Sequence, residues 1–198
     1  MNIQIAILGA ESTGKSDLIA ALLLLFAARK TESVSAVPEV LRQFCIAHGR
    51  APFAHEQQGI LGQQMAVEQL AIEQSTIEQS TIEQSGLERS LNQRTVLLSD
   101  CAPITTAIYS EMYFNDPSLI DVATTHHQRY RLSLALAPDI GWHADPLPFM
   151  RDGPRAQLDF HWRLLQWLSC SQMPYQLITG SGQSRTQSAL DAIIKVIR

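Results

Sequence analysis

Hydrophobic residues along the chain form short runs that alternate with longer segments of helical length. The first run, residues 3–8, ends in a glycine and is followed by an apolar segment at residues 18–28. Four later runs are apolar or alternate between apolar and polar positions, as strands do: they are 33–37, 95–99, 131–137 and 175–179. Strands that alternate with helices predict an α/β fold, here a three-layer sandwich whose central sheet is mainly parallel and five-stranded.

A stretch rich in Gln and Glu, residues 55–91, separates the second strand from the third and is predicted to be mostly helical. Within it, at residues 72–85, the unit Ile-Glu-Gln-Ser-Thr begins at Ile72 and again at Ile77, and its first four residues recur from Ile82. A five-residue period turns a helix by about 140° per unit, so the isoleucines spread around it. We interpret the repeat as an expansion that lengthens a surface helix or frays; a docking surface for a partner is the alternative.

Length and composition predict one domain, spanning residues 1–198, because 198 residues with 45% hydrophobic content suit a single well-packed core. The net charge of −4 gives no basic face for nucleic acid. The apolar run 18–28 is too short to cross a bilayer, so no membrane partner is expected. The three cysteines are widely spaced and suggest neither disulfides nor zinc, which fits a reducing cytoplasm. The oligomeric state is left open.

The residues between the first strand and the first helix match the phosphate-binding pattern GxxxxGK[ST]. The matching segment is Gly9-Ala10-Glu11-Ser12-Thr13-Gly14-Lys15-Ser16. In this pattern backbone amides converge on the β-phosphate, the lysine neutralises the β- and γ-oxygens, and the final hydroxyl binds Mg²⁺. We therefore predict a site for Mg-ATP or a close relative of it, with Lys15 and Ser16 in these roles. A glycine-rich turn without a ligand is the alternative.

An acidic residue at the end of a later strand is expected to help hold the metal ion. The apolar third strand ends in Asp100. A carboxylate at that place can hold the water shell of Mg²⁺ at the mouth of the phosphate site. Asp100 can also be a helix N-cap, since Cys101, Ala102 and Pro103 follow it. Because the same chain carries a phosphate loop, the metal role is favoured.

Five segments of the chain occur together in one known family. They are the phosphate loop with Glu11, residues 37–42, residues 98–100 with 104–110, residues 138–142, and residues 151–155. As a set they resemble the NadR-like P-loop family, which includes the ribosylnicotinamide kinase domain of NadR and stand-alone bacterial ATPases and kinases. The resemblance covers nearly the whole chain. It implies a nucleoside-kinase-like fold that transfers the γ-phosphate of ATP to a small-molecule hydroxyl.

A lid and an acceptor-facing carboxylate are expected alongside this resemblance. In a lid at residues 143–155, Arg151 and Arg155 bring cations to the transferred phosphoryl group and help exclude water; a solvated charged loop is the alternative. Glu39 stands where nucleoside kinases place a carboxylate that orients or deprotonates the acceptor hydroxyl. Stabilisation of the helix dipole is the other role open to Glu39. Arg42, one turn later, either pairs with Glu39 or contacts the substrate.

The remaining candidates are weaker. Gly180 and Arg185 follow the fifth strand and resemble the loop that wraps the adenine in P-loop kinases, with an ordinary turn as the alternative. Trp142 is a candidate wall of the acceptor pocket. The adjacent His126 and His127 do not share a helix face and have no carboxylate cluster beside them, so a packing or surface role is predicted.

Two functions stay open from the sequence. The first is a small-molecule kinase that uses ATP and Mg²⁺ and phosphorylates a nucleoside-like acceptor, with nicotinamide riboside as one candidate. The second is a regulatory ATPase whose nucleotide state controls a partner. The lid arginines and Glu39 favour the kinase. The regulator is favoured by the repeat and by Ala102, where ribosylnicotinamide kinases tend to carry a second Asp.

Overall fold

A computed structural model describes residues 2–29, 32–84, 94–144 and 153–198, with the backbone alone for 78–84. Its strands are β1 (Asn2–Leu8), β2 (Ser33–Val37), β3 (Thr95–Asp100), β4 (Tyr130–Leu136) and β5 (Tyr175–Ile178). Its α-helices are α1 (Lys15–Arg29), α2 (Val40–His48), α3 (Gln57–Gln84), α4 (Pro103–Phe114), α5 (Ile120–His127), α6 (Pro154–Ser171) and α7 (Gly182–Ile197), and a 3-10 turn spans Ala54–Glu56. No helix in these described ranges is both long and apolar enough to cross a membrane.

The five strands form one sheet in the order β2-β3-β1-β4-β5. Every neighbouring pair is parallel, which confirms the predicted five-stranded parallel sheet. The register places Ile7 of β1 beside Asp100 of β3. The carboxyl ends of β1 and β3 therefore meet at one edge of the sheet, where parallel α/β proteins bind their ligands.

Alternating side chains of β1 supply the core on both faces of the sheet. Ile5 and Ile7 are fully buried and pack in a cluster with residues of α1 and α7. Ala6 and Leu8, also fully buried, join a second cluster with residues of α3, α4, α5 and α6. Two such layers of helices on one sheet confirm the predicted three-layer sandwich.

The first unit of the repeat is anchored to the sheet. The Nδ2 atom of Asn2, at the start of β1, donates to Ile72 O at 3.2 Å and to Thr76 Oγ1 at 3.0 Å. Ser75 is buried, whereas Ile77 in the second unit is 65% exposed. The expectation of a surface extension stays a prediction: in the first unit Glu73, Gln74 and Thr76 are exposed, while Ser75 is buried. The exposed side chain of Ile77 fits that expectation for the second unit.

His126 and His127 are both buried at the end of α5, as a packing role requires. The His126 Nε2 atom lies 2.7 Å from Glu68 Oε2, and the His127 Nε2 atom lies 2.7 Å from Ser133 Oγ. Burial lowers the pKa of His127 to about 3, and the charge of neighbouring His126 acts in the same direction. The Nδ1 atom of His127 has no hydrogen-bond partner among the described residues, so a proton there would be unsolvated.

A depressed histidine pKa predicts acid sensitivity. The unfolded chain takes up a proton at His127 below pH about 6.5, whereas the native protein resists it until pH about 3. Stability should therefore fall by up to roughly 1.4 kcal/mol per pH unit across this window. Urea titrations from pH 7 to pH 4 should show a smaller loss for His127→Gln, while the exposed His48→Gln variant should behave as the parent does. An equal pH dependence of all three proteins would contradict this assignment.

Two deletions within the repeat are expected to differ in their effect on stability. Deleting residues 77–81 leaves the five residues at positions 72–76 in place, so the melting temperature should be nearly unchanged. Deleting residues 72–81 moves Gly86 to position 76 and removes the hydroxyl that contacts Asn2. Calorimetry should show a loss of roughly 1–2 kcal/mol, which Thr76→Gly alone should reproduce. Unfolding of the one-unit deletion would show that the second unit belongs to the core.

Candidate active site

The phosphate loop, residues 9–16, joins β1 to α1 through two left-handed residues. Ser12 has φ 57° and Gly14 has φ 75°, a region that favours glycine. At Gly9 the backbone passes so close to its neighbours that a Cβ atom would lie 2.7 Å from Thr13 Oγ1. Gly14 is thus required by its backbone conformation, and Gly9 is required by the close packing around it.

The side chain of Lys15 lies within the curve of this loop. Its Nζ atom donates to Gly9 O and Ala10 O, each at 3.0 Å. Burial acts to lower the pKa of Lys15, but the acidic groups around it, Cys101, Glu39 and Asp100 among them, outweigh burial and raise that pKa. Lys15 therefore presents a permanent cation where the motif places the β- and γ-phosphates.

Arg185 holds the loop from the side of the core. Its guanidinium is buried and donates through Nη2 to Thr13 O at 3.1 Å and to Ala137 O at 2.9 Å. Its Nη1 atom donates to Asp139 Oδ1 and to Gly180 O, each at 2.6 Å. The expected contact of Arg185 with the adenine is not favoured by this geometry, because the guanidinium is engaged by the protein backbone. Gly180 lies beside it, its amide bound to Asp139 Oδ2 at 2.7 Å.

Opposite the loop, Glu39, Asp100 and Cys101 bring their ligand atoms within 4.8 Å of one another. Glu39 is the N-cap of α2, yet its side chain makes no capping hydrogen bond. Its carboxylate bonds the Cys101 thiol instead, and burial raises its pKa more than the Lys15 ammonium lowers it. Burial likewise raises the pKa of Cys101, which keeps the thiol protonated. Glu39 thus faces the phosphate loop.

The residues expected to hold Mg²⁺ suit that ion. Asp100 ends β3 beside β1, and its Oδ1 atom is buried with no hydrogen-bond partner in the described part of the chain. Ser16 opens α1 with an exposed side chain at the same edge of the sheet. Carboxylate and hydroxyl oxygens are the ligands that Mg²⁺ prefers. The orphaned carboxylate oxygen therefore fits a cation bound between the loop and β3.

A cleft of about 500 Å³ opens over the loop. Its lining combines the phosphate loop with α2, α4 and the segment after β4, and includes Glu39, Arg42, Tyr109, Ile140 and His143. A small niche adjoins it and shares Glu11 and Tyr109 with it. The niche is also lined by Tyr113, Trp142 and Gln157. Aromatic side chains of the niche therefore border the part of the cleft that carries the charged residues.

The predicted lid is described only at its two ends, since residues 145–152, and with them Arg151, lie outside the described ranges. At one end the amide of His143 donates to Ser12 Oγ at 2.8 Å. At the other, Gln157 Nε2 donates to Glu11 O at 2.8 Å. Arg155 is exposed in the first turn of α6. Both ends of this segment are therefore tied to the phosphate loop.

Among the residues of the site, Cys101 and Gln157 were not predicted from the sequence, and His143 was predicted only as the first residue of the lid. A cysteine directly after a strand carries no signal of its own. It is brought to Glu39 by its left-handed backbone, with φ 57°. Gln157 and His143 act through side-chain or backbone contacts with the loop that depend on long-range packing, so no local pattern marks them.

Comparisons with known proteins place the chain in a family. Residues 4–185 match the AAA domain family, and the chain belongs to it. Its fold is similar to that of NadR in complex with NAD and AMP-PNP (TM-score 0.65) and in complex with NR (TM-score 0.66), each at 16% identity over 98% of this chain and 49% of NadR. It is also similar to thymidylate kinase from Ehrlichia chaffeensis, with a TM-score of 0.59 and 12% identity over 100% of this chain and 99% of the kinase. No curated protein matches the chain.

The chain spans about half the length of the NadR proteins it resembles. At these identities the likeness defines the fold alone, which is the fold of these P-loop kinases. The resemblance to NadR-like P-loop proteins, predicted from five sequence segments, is thereby confirmed.

Replacing the loop lysine should separate binding from folding. Lys15→Ala removes the cation that meets the phosphates, so the affinity for Mg-ATP should fall by about tenfold or more. Isothermal titration calorimetry measures this change, with the exposed Lys195→Ala variant as the control. Mg-ATP binding of Lys15→Ala at parental affinity would show that residues 9–16 are not the phosphate site.

Proposed function

We propose that the chain transfers the γ-phosphate of ATP to a hydroxyl group of a nucleoside-like small molecule, for which nicotinamide riboside is one candidate. The observation that carries this proposal is the position of Glu39. Its carboxylate lines the same cleft as Lys15 and lies beside Asp100, although it starts a helix that it does not cap. A carboxylate that is held at the phosphate site and does not cap its own helix suits an acceptor hydroxyl.

Each residue of the cleft then has a role in the transfer. Lys15 neutralises the β- and γ-phosphate oxygens, and Ser16 and Asp100 hold Mg²⁺, which supplies further charge neutralisation when bound. Glu39 orients the acceptor hydroxyl and accepts its proton. Because burial raises the pKa of Glu39, its carboxylate is a stronger base than an exposed one. Arg42 lines the same cleft and contributes a positive charge that lowers this pKa in part.

The acceptor is proposed to bind on the aromatic side of the cleft. Tyr109 and Tyr113 are stacked, with ring centroids 5.8 Å apart, and Trp142 borders the same niche. Flat aromatic walls suit a planar ring. The NadR structures similar to this chain include one with NR bound, which supports a nucleoside-like acceptor. Arg151 and Arg155 are proposed to bring their charges to the transferred phosphoryl group from the lid.

A regulatory ATPase is the second candidate. The observation that favours it is a pair of exposed apolar side chains on α3, Leu70 and Ile77, which lie two helical turns apart on one face where a partner can bind. In that function the nucleotide site is the same, and water replaces the small-molecule acceptor.

Turnover with a panel of acceptors tests the kinase proposal. ADP release from Mg-ATP should rise on addition of nicotinamide riboside, a ribonucleoside or a deoxyribonucleoside. In the Arg151→Ala/Arg155→Ala protein, acceptor-dependent turnover should fall by about tenfold or more, because the lost charges stabilise the transition state more than they stabilise bound ATP. The melting temperature should stay close to that of the parent, and Arg29→Ala, at the end of α1, is the matched control. Hydrolysis that no member of the panel stimulates would favour the regulatory ATPase.

A further inference from the structure

The side chain of Gln64, on α3, is buried against the start of α2 with 2% exposure. Its Oε1 atom accepts the Val40 N–H at 2.9 Å. Its Nε2 atom donates to Pro38 O at 3.3 Å. Pro38 and Val40 are the residues on either side of Glu39. One buried amide from another helix thus holds the backbone immediately before and after this carboxylate.

Gln64 is itself held in place by a buried polar chain. Its Nε2 atom also donates to Glu68 Oε1 at 3.2 Å, one turn further along α3. The other carboxylate oxygen of Glu68 lies 2.7 Å from His126 Nε2, at the end of α5. Gln64, Glu68 and His126 are each no more than 5% exposed. Because the amide oxygen and the amide nitrogen of Gln64 each have a hydrogen-bond partner, the orientation of the amide group is fixed.

This arrangement fixes the backbone around Glu39 without using the Glu39 side chain. The first amides of a helix lack intrahelical partners, and a side chain at the N-cap ordinarily satisfies some of them. At α2 the Val40 amide is satisfied by Gln64, and the Glu39 side chain makes no capping bond. The carboxylate is left to bond Cys101 beside Asp100.

We propose that Gln64 is a positioning residue for Glu39 and, through it, for the acceptor hydroxyl. Because this inference rests on the role given to Glu39 under the proposed function, its test needs one readout of the backbone and one of the reaction. A small displacement of a group that orients a reactant can cost an order of magnitude or more in rate.

The backbone readout is hydrogen exchange of the Val40 amide. Gln64→Met keeps the length and volume of the side chain but cannot accept this hydrogen bond. Exchange at Val40 should become faster by about tenfold or more, whereas Gln63→Met, at an exposed neighbouring position, should leave it unchanged. Parental protection of Val40 in Gln64→Met would overturn the inference.

The reaction readout is a double-mutant cycle with Glu39→Gln. ADP release from Mg-ATP is measured with nicotinamide riboside, thymidine, or water alone as the acceptor. Gln64→Met should lower kcat by about tenfold in the parent, with little change in ATP affinity. In the Glu39→Gln background it should have almost no further effect, since the residue it positions is gone. Equal losses in both backgrounds would reduce Gln64 to a structural residue and overturn the inference.

A swapped pair guards against simple unfolding of Gln64→Met. In Gln64→Glu/Glu68→Gln an acceptor again faces the Val40 amide and the amide of residue 68 can donate to residue 64, so that only the bond to Pro38 O is lost. Val40 protection and turnover should both recover toward the parental values; recovery of neither would count against the inference. If Val40 protection is lost in Gln64→Met but Glu39→Gln turns over normally, the role of Glu39 in the proposed function fails, and the inference fails with it. Intact Val40 protection beside a strong Glu39→Gln defect refutes the inference alone.

Discussion

The site depends on buried cations that match the inward-facing carbonyl oxygens of the phosphate loop. Lys15 bonds two of them from within the curve, and Arg185 bonds Thr13 O from the side of the core. A buried guanidinium is costly unless it is paired, and Asp139 supplies the pairing charge. Since Asp139 also binds the Gly180 amide, the loops after β1, β4 and β5 are joined at one point.

The acidic groups of the cleft are placed by elements other than the phosphate loop and α1. Asp100 is fixed by the pairing of β3 with β1, whereas Glu39 depends on α2 and on the amide of Gln64 from α3. The same buried chain continues through Glu68 to His126 at the end of α5. The packing of α3 and α5 on one face of the sheet is therefore coupled to the position of Glu39, the carboxylate that is proposed to face the acceptor hydroxyl.

Much of the architecture could be predicted because its signals are local. Each strand is a contiguous apolar run, and its side-chain alternation needs no knowledge of its neighbours. The phosphate loop is one continuous segment, so Gly9, Gly14 and Lys15 are recognisable by spacing alone. Asp100 was identified because the end of one parallel strand must lie near the end of another. The roles of Asp100, Glu39 and the lid arginines stay predictions, since their chemistry has not been measured.

The sequence by itself determined the order of strands and helices, the phosphate loop and the kind of ligand it suits, because each depends on residues that are neighbours along the chain. Tertiary structure alone decided that Arg185 supports the loop, that Gln64 binds the first amide of α2, and that the first repeat unit meets Asn2. These contacts join residues separated by 172, 24 and 70 positions. Their partners are chosen by the packing of whole helices on the sheet, and no pattern local to either residue carries that information.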